Sequence, residues 1–243
     1  MMTEVTPQPS WGSREALAGR LAAVRASIAE AAVDANRDPA ELTLVAVTKF
    51  HDVDIIDALY ELGVRDFGEN RHPESRYKAA RLREIAGDDG RMHFIGQLQR
   101  NKARQVGRYA DVIESIDRVE LVDALSTLQR EDGRQVDVTI QLSLDGDTAR
   151  GGVLLEEAPD LARRILDTDT LRLRGVMAVA PIDADPDKAF ATVRETSETI
   201  RSFAPDATWC SMGMTHDFRS AISQGATHLR IGTAITGMRP TAP

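Results

Sequence analysis

Eight times along the chain, a short apolar run rich in β-branched residues is followed by a stretch with helical spacing of apolar positions. Continuous apolar runs are what strands buried on both faces of a parallel sheet look like, and parallel neighbours need a crossover, usually a helix. The runs are LTLVAVT (42–48), VRDFG (64–68), MHFIG (92–96), DVIESI (111–116), VDVTIQLSL (136–144), LRLRGVMAVA (171–180), ATWCSM (207–212) and THLRIG (227–232). The stretch after the first run carries Ile55, Ile56, Leu59 and Leu62 on one side, with Asp52 or Asp54 as its expected cap. Glu74–Ile85, NKARQVGRY and VELVDALSTLQR continue the series. Before the first run, residues 13–35 place Leu17, Leu21, Val24 and Ile28 on one helical face.

Eight strand–helix units predict an α/β fold, a single closed (β/α)8 TIM-type barrel with an extra N-terminal helix. Such barrels run to about 250 residues as one domain, and this chain has 243. An open doubly wound sheet is the alternative, but no G-x-G-x-x-G follows the first strand. Residues 13–243 are therefore read as one domain, and residues 1–12 as a flexible tail. That start has no basic region and no apolar stretch, so it is not read as a secretory signal. The apolar runs fall far short of the roughly 18 residues of a spanning helix, so no membrane partner is expected. A formal net charge of -8 opposes bulk binding of nucleic acid. The single cysteine, Cys210, lies in a strand and reads as a buried, inert thiol. A cytoplasmic location fits all of this.

Function in these barrels gathers at the C-terminal ends of the strands. There the sequence offers Thr48-Lys49, Gly68-Glu69-Asn70, Gly96-Gln97, Asp117, Ser143, Met177, Ser211 to Met214, and Arg230-Gly232-Thr233. Of 30 Lys and Arg residues, only Lys49, Lys78, Lys102 and Lys188 are lysines, so generic surface charge is carried by arginine. Lys78 and Lys188 fall within helices and read as solvated. Lys49 ends a buried strand in phase with Val45 and Val47, and is expected to point into the barrel mouth. A lysine confined there is pushed toward its neutral amine, the nucleophile that forms a Schiff base with an aldehyde. A strand-end lysine paired with a carboxylate such as Glu69 is the competing reading.

Ser211, Gly213 and Thr215 stand just before a helix, and Gly232 and Thr233 open the last segment. Glycine lets a phosphate approach backbone N–H groups, and the last two βα loops are the common phosphate position in these barrels. Arg230 alternates with Leu229 and Ile231 and should face inward. It could bind phosphate or a ring nitrogen, or satisfy an interior carboxylate. The five histidines show no paired metal spacing, and no metal site is expected. His93 reads as a hydrogen-bonded interior residue. Asn101 is the expected cap of the helix after the third strand, with Lys102 solvated.

The motifs LVAVTK ending at Lys49, FGEN (67–70), HFIGQLQRNK (93–102), SMGMTHD (211–217) and RIGTAITG (230–237) together resemble the pyridoxal phosphate homeostasis family. The likeness covers roughly residues 17–239. It implies a monomeric fold-type III barrel, similar to the N-terminal domain of alanine racemase, that holds pyridoxal 5′-phosphate (PLP) as an aldimine on Lys49. It implies phosphate contacts around Ser211, Gly213, Gly232 and Thr233, with Arg230 close to the cofactor. Asn70 and Met177, at two further strand ends, join the expected cofactor-binding set. The family implies a carrier that buffers PLP and delivers it to PLP-dependent apo-enzymes, with no catalytic residue of its own. Arg71-His72, Thr215-His216 and the A-R-G-G turn at 149–152 depart from the commoner family pattern. The alternatives are a racemase-like PLP enzyme and a class I aldolase. A racemase needs a second acid–base group, and Tyr60, Tyr77 and Tyr109 all fall in predicted helices, away from the mouth.

Overall fold

All eight apolar runs form strands in the computed structural model, which describes residues 9–237. They are β1 (Thr43–Val47), β2 (Asp66–Glu69), β3 (Arg91–Phe94), β4 (Val112–Ile116), β5 (Val136–Leu142), β6 (Leu171–Ala178), β7 (Trp209–Ser211) and β8 (His228–Ile231). Each is hydrogen-bonded to its sequence neighbours, and parallel pairing of β1 with β8 closes the barrel. The open doubly wound sheet is thereby set aside.

The helices are α1 (Arg14–Asp34), α2 (Asp54–Glu61), α3 (Glu74–Ala86), α4 (Arg100–Gly107), α5 (Val119–Ser126), α6 (Ala158–Leu166), α7 (Pro186–Arg201), α8 (Phe218–Ser223) and α9 (Thr233–Thr236). One phase of the strands, including Ala46, Phe67, Phe94, Ile113, Val138, Val176 and Leu229, packs outward against helix residues such as Ile55, Leu59, Leu82, Leu121, Ile165 and Phe190. Each large side chain so buried contributes about 1.5–3 kcal/mol of transfer free energy. The other phase faces the barrel axis: Val45 and Val47 lie beside Gly68, and Val47 also beside Gly232.

The N-terminal helix closes the shell over the seam between β8 and β1. Ser13 caps α1, its hydroxyl accepting from the Ala16 N–H. Arg20 donates to the carbonyls of Ile235 (2.7 Å) and Trp11 (2.6 Å), tying α1 to α9. Of the expected tail, residues 1–8 lie outside the described residues. Residues 9–12 lead into α1, with Trp11 buried and its indole donating to Asp54.

Some local expectations are corrected. Val53, with no side-chain cap, precedes α2, and neither Asp52 nor Asp54 caps it; Asp54 takes the Trp11 indole instead. Asn101 lies inside α4, which starts one residue earlier after Gln99 and has no side-chain cap, and Lys102 is half-buried. Tyr109 falls beyond the end of α4.

Candidate functional site at the C-terminal mouth

Past the end of β1 the chain makes a tight turn. The His51 N–H donates to the Thr48 carbonyl at 3.2 Å, which leaves Lys49 and Phe50 as the two central residues. Phe50 has φ 73°. That is the conformation a type II turn demands at its third residue, where glycine or asparagine is usual. A phenylalanine held there is strained, by about 1–2 kcal/mol for a side chain in the left-handed region. Lys49 occupies the second position, two residues beyond Val47 and in its phase. Its side chain is exposed, with Nζ 5.8 Å from the centre of the Phe50 ring. The expected confinement is corrected by this exposure. Arg71 approaches the same ring at 5.3 Å.

The carboxylate offered as a partner for Lys49 belongs to another lysine. Glu69 pairs with Lys78 at 2.6 Å, and both side chains are almost fully buried between the strand ends and α3. A helical position alone suggests a solvated Lys78. Its position on the face of α3 turned to the barrel overrides that reading. Its ammonium also donates to the Thr48 carbonyl (2.7 Å), and Glu69 accepts from the Thr48 hydroxyl (2.6 Å). Lys188 is exposed, as its helical position suggested.

Inside the barrel a second set of charged groups runs along the axis. Asp66 and Glu114 hold the two ring nitrogens of His93 at 2.9 and 2.7 Å. The other Glu114 oxygen accepts from the Ser211 hydroxyl at 2.6 Å. Arg230 donates through Nη1 to the same Ser211 oxygen (2.6 Å) and through Nη2 to the Ala178 carbonyl (2.7 Å). Glu114 is 3.7 Å from the guanidinium. Arg230 therefore faces inward and satisfies an interior carboxylate. Burial alone would push His93 toward its neutral form, but hydrogen bonds to Asp66 and Glu114 outweigh it and lift its pKa to about 9. Burial would raise Glu114, yet His93 and Arg230 bring it down to about 2. His93 is thus the hydrogen-bonded interior residue expected, and it is charged.

The loop after β7 is joined to β8, the Arg230 N–H donating to the Gly213 carbonyl. Gly213 has φ 93°, and a Cβ there would meet Ala221 at 2.6 Å, so only glycine fits. Gly232 has room for a methyl, its nearest neighbour Val47 being 3.5 Å away. That contact brings the β8 loop against the end of β1, two residues before Lys49. Thr233 opens α9 and is exposed; Thr215 is half-buried. Ser211 is fully buried with its proton directed at Glu114, and Met177 is paired in register with it. Asn70 is half-buried at the end of β2, its carbonyl against Gly96. Cys210 is buried, and that burial pushes its thiol pKa up. Among the described residues no three His, Cys, Asp or Glu side chains converge as a metal-holding group.

Nothing in the sequence motifs marks Glu114, Asp66 or Lys78 as a site residue. One signal was available for Glu114: it is a carboxylate in the middle of an apolar strand run, where a charge must be paired.

The closed parallel barrel carries a lysine on the turn after its first strand and small-residue loops after its last two, an architecture it shares with the racemase-like barrels whose family model it matches. The sequence model of the alanine racemase N-terminal domain matches residues 20–240. The chain belongs to the pyridoxal phosphate homeostasis protein family: a member from Corynebacterium glutamicum is 39% identical over 214 residues, covering 85% of this chain and 95% of that one. The solved structure of PipY from Synechococcus elongatus with PLP bound is 31% identical, with a TM-score of 0.78 over 91% of this chain and all of that one. Alanine racemase from Corynebacterium glutamicum shares the fold alone, at 16% identity and a TM-score of 0.67 over 94% of this chain and 62% of the enzyme.

Proposed function

We propose that the chain binds PLP at the C-terminal mouth of its barrel and serves as a reserve of the cofactor rather than as an enzyme. The observation that carries this reading is the exposed amine of Lys49 on the turn after β1, with the glycine loop of β8 packed against the same strand. When bound, PLP supplies an aldehyde that a lysine amine can hold reversibly and a phosphate that backbone N–H groups can grip. Lys49 is the covalent holder. Gly213 and Gly232 let their loops approach the phosphate closely, and the exposed Thr233 hydroxyl adds a donor. Ser211 serves through Arg230, whose guanidinium it helps fix near the ring, while Asn70 and Met177 line the mouth. The donor set fits a small dianion attached to an electrophile.

PipY has been solved with PLP, and the relatives are named homeostasis proteins rather than enzymes. The tyrosines support a non-catalytic role. Tyr60 and Tyr109 are engaged by Asp89 and Ser75 on the helical shell, and Tyr77 is exposed on α3. The same reading makes residues 13–243 one cofactor-binding domain, acting as a cytoplasmic monomer whose partners are PLP-dependent apo-enzymes. No described helix is long and apolar enough to cross a membrane.

Borohydride reduction of the PLP-loaded protein, followed by peptide mass mapping, tests the assignment. The pyridoxyl label is expected on Lys49 and absent from Lys49→Ala. A label on Lys102 or Lys188 with Lys49 unmodified would overturn it. Efficient Cα exchange of L-alanine in deuterated water would replace the carrier reading by an enzymatic one.

A further inference from the structure

Three buried groups converge on one residue, Thr48, immediately before Lys49. Its hydroxyl donates to Glu69 at 2.6 Å. Its carbonyl accepts from Lys78 at 2.7 Å and, closing the turn, from the His51 N–H at 3.2 Å. The turn they hold is strained at Phe50, with φ 73°. A strained turn persists only where its surroundings over-determine it. A charge-assisted bond from a buried ammonium to the turn's own acceptor is the strongest such restraint here. On its far side the loop is tethered by Ser10 to His51 (2.9 Å) and by Trp11 to Asp54 (3.2 Å).

We infer that Lys78, held by Glu69, is a positioning residue: it locks the Thr48–His51 turn and thereby aims the Lys49 amine at the barrel mouth. The inference rests on the proposed attachment of PLP to Lys49 and deepens it. A buried ion pair is weak evidence of stability, since apolar residues of similar size often replace one without loss. This pair does something an apolar pair cannot, because it donates to a specific backbone oxygen. An amine whose direction is fixed before it reacts loses less freedom on forming its bond. With the clamp removed, the turn can relax at Phe50, and the amine samples directions away from the mouth.

The decisive variant is Lys78→Met/Glu69→Leu, which removes both charges together and leaves neither unpaired. Wild type and variant are titrated with PLP and with pyridoxal, which has the aldehyde but no phosphate. The readouts are the visible absorbance band and its circular dichroism. The variant should retain its melting temperature within a few degrees. It should bind pyridoxal at least about tenfold more weakly, since preorganisation is what it has lost. Its visible dichroism should fall, because a loosely aimed linkage no longer fixes the chromophore, and a merely structural role would leave that signal unmoved. Should the double variant not fold, Glu69→Gln is measured the same way. That change keeps a polar partner for Lys78 but loosens it, and a smaller change of the same sign is expected. Unchanged pyridoxal binding and dichroism in a folded variant would overturn the inference while leaving the PLP reading standing. A wild type that gives no visible band with PLP would sink the PLP reading, and this inference with it.

Discussion

Two buried charge clusters lie in this barrel, one inside the strand cylinder and one outside it. The inner one links Asp66, His93, Glu114, Ser211 and Arg230 across five strands. The outer one links Glu69, Lys78 and Thr48 between the strand ends and α3. In the outer cluster one carboxylate meets one ammonium, and the remaining bonds go to a hydroxyl and a carbonyl. In the inner cluster two carboxylates, one imidazolium, one guanidinium and one hydroxyl form a continuous chain, in which His93, Glu114, Ser211 and Arg230 each have at least two partners. The difference teaches what each can tolerate. The outer pair can be replaced as a unit, whereas the inner network has no separable pair. Removing Glu114 there strands two buried cations.

The sharpest contrast is therefore in stability. Glu114→Leu should cost about 3–5 kcal/mol, the range for breaking a buried pair and leaving a charge uncompensated. Here two cations, His93 and Arg230, lose their shared carboxylate. Lys78→Met/Glu69→Leu should cost only about 1 kcal/mol, because no charge is stranded and the loss is confined to the neutral Thr48 hydroxyl, which gives up its acceptor. Urea unfolding of both decides the matter, and similar losses would erase the distinction between the clusters.

The second contrast is in pH dependence. His93 has its pKa raised to about 9, so its contribution is fully present below the unfolded value near 6.5 and is lost as pH rises through about 9. Glu114, brought down to about 2, contributes above the unfolded carboxylate range, and that contribution is lost as pH falls toward about 2. His228 adds to the acid limb. Burial and the nearby charge of His93 lower its pKa to about 4, so the unfolded chain binds its proton first, between about 6.5 and 4. Melting temperature should thus decline on the alkaline side between about 6.5 and 9. His93→Gln should flatten that limb, and the Lys78→Met/Glu69→Leu variant should keep it. An alkaline limb unchanged in His93→Gln would assign it elsewhere.

The two clusters also divide what could be read before the structure. Periodicity exposes the barrel because each strand run carries apolar residues on its helix-facing side, and that pattern needs no knowledge of the neighbouring strands. Lys49, Gly213, Gly232 and Arg230 were legible because they stand at strand ends, where a barrel collects its chemistry. Lys78 is hidden from the sequence because one charged residue on an otherwise polar helix carries no local mark of facing inward. Its burial depends on Glu69, which lies nine positions away and on a different element. Pairings of this kind are set by tertiary placement, as is the strain at Phe50, which follows from a turn closed by bonds reaching back to Thr48. The exposure of Lys49 is likewise set by tertiary placement. Phase predicted its direction, but the strand ends two residues before it.

The finest comparison deletes one hydroxyl from each cluster. Ser211 is a bridge: its oxygen accepts from Arg230 while its proton goes to Glu114. Ser211→Ala leaves a guanidinium N–H without that acceptor and a carboxylate oxygen without that donor, both buried. Hydrogen bonds to charged groups contribute roughly 1.5–3 kcal/mol, and the residual 3.7 Å approach of Arg230 to Glu114 offsets part of the loss by closing up. Thr48 is a terminus. Thr48→Val keeps the β-branched shape and the backbone carbonyl, and the Glu69 oxygen it abandons still holds Lys78 at 2.6 Å. That loss should stay near the ordinary value of about 1 kcal/mol. The two substitutions should also part company at the mouth. Ser211→Ala frees the guanidinium near the proposed ring position, so PLP retention by equilibrium dialysis should weaken. Thr48→Val leaves the Lys78 bond to the turn intact and should retain PLP almost as the wild type does. If Thr48→Val proves the more damaging of the two, in stability or in retention, the hydroxyl rather than the carbonyl is what holds the turn. The division between a bridged network and a terminal clamp would then have to be redrawn.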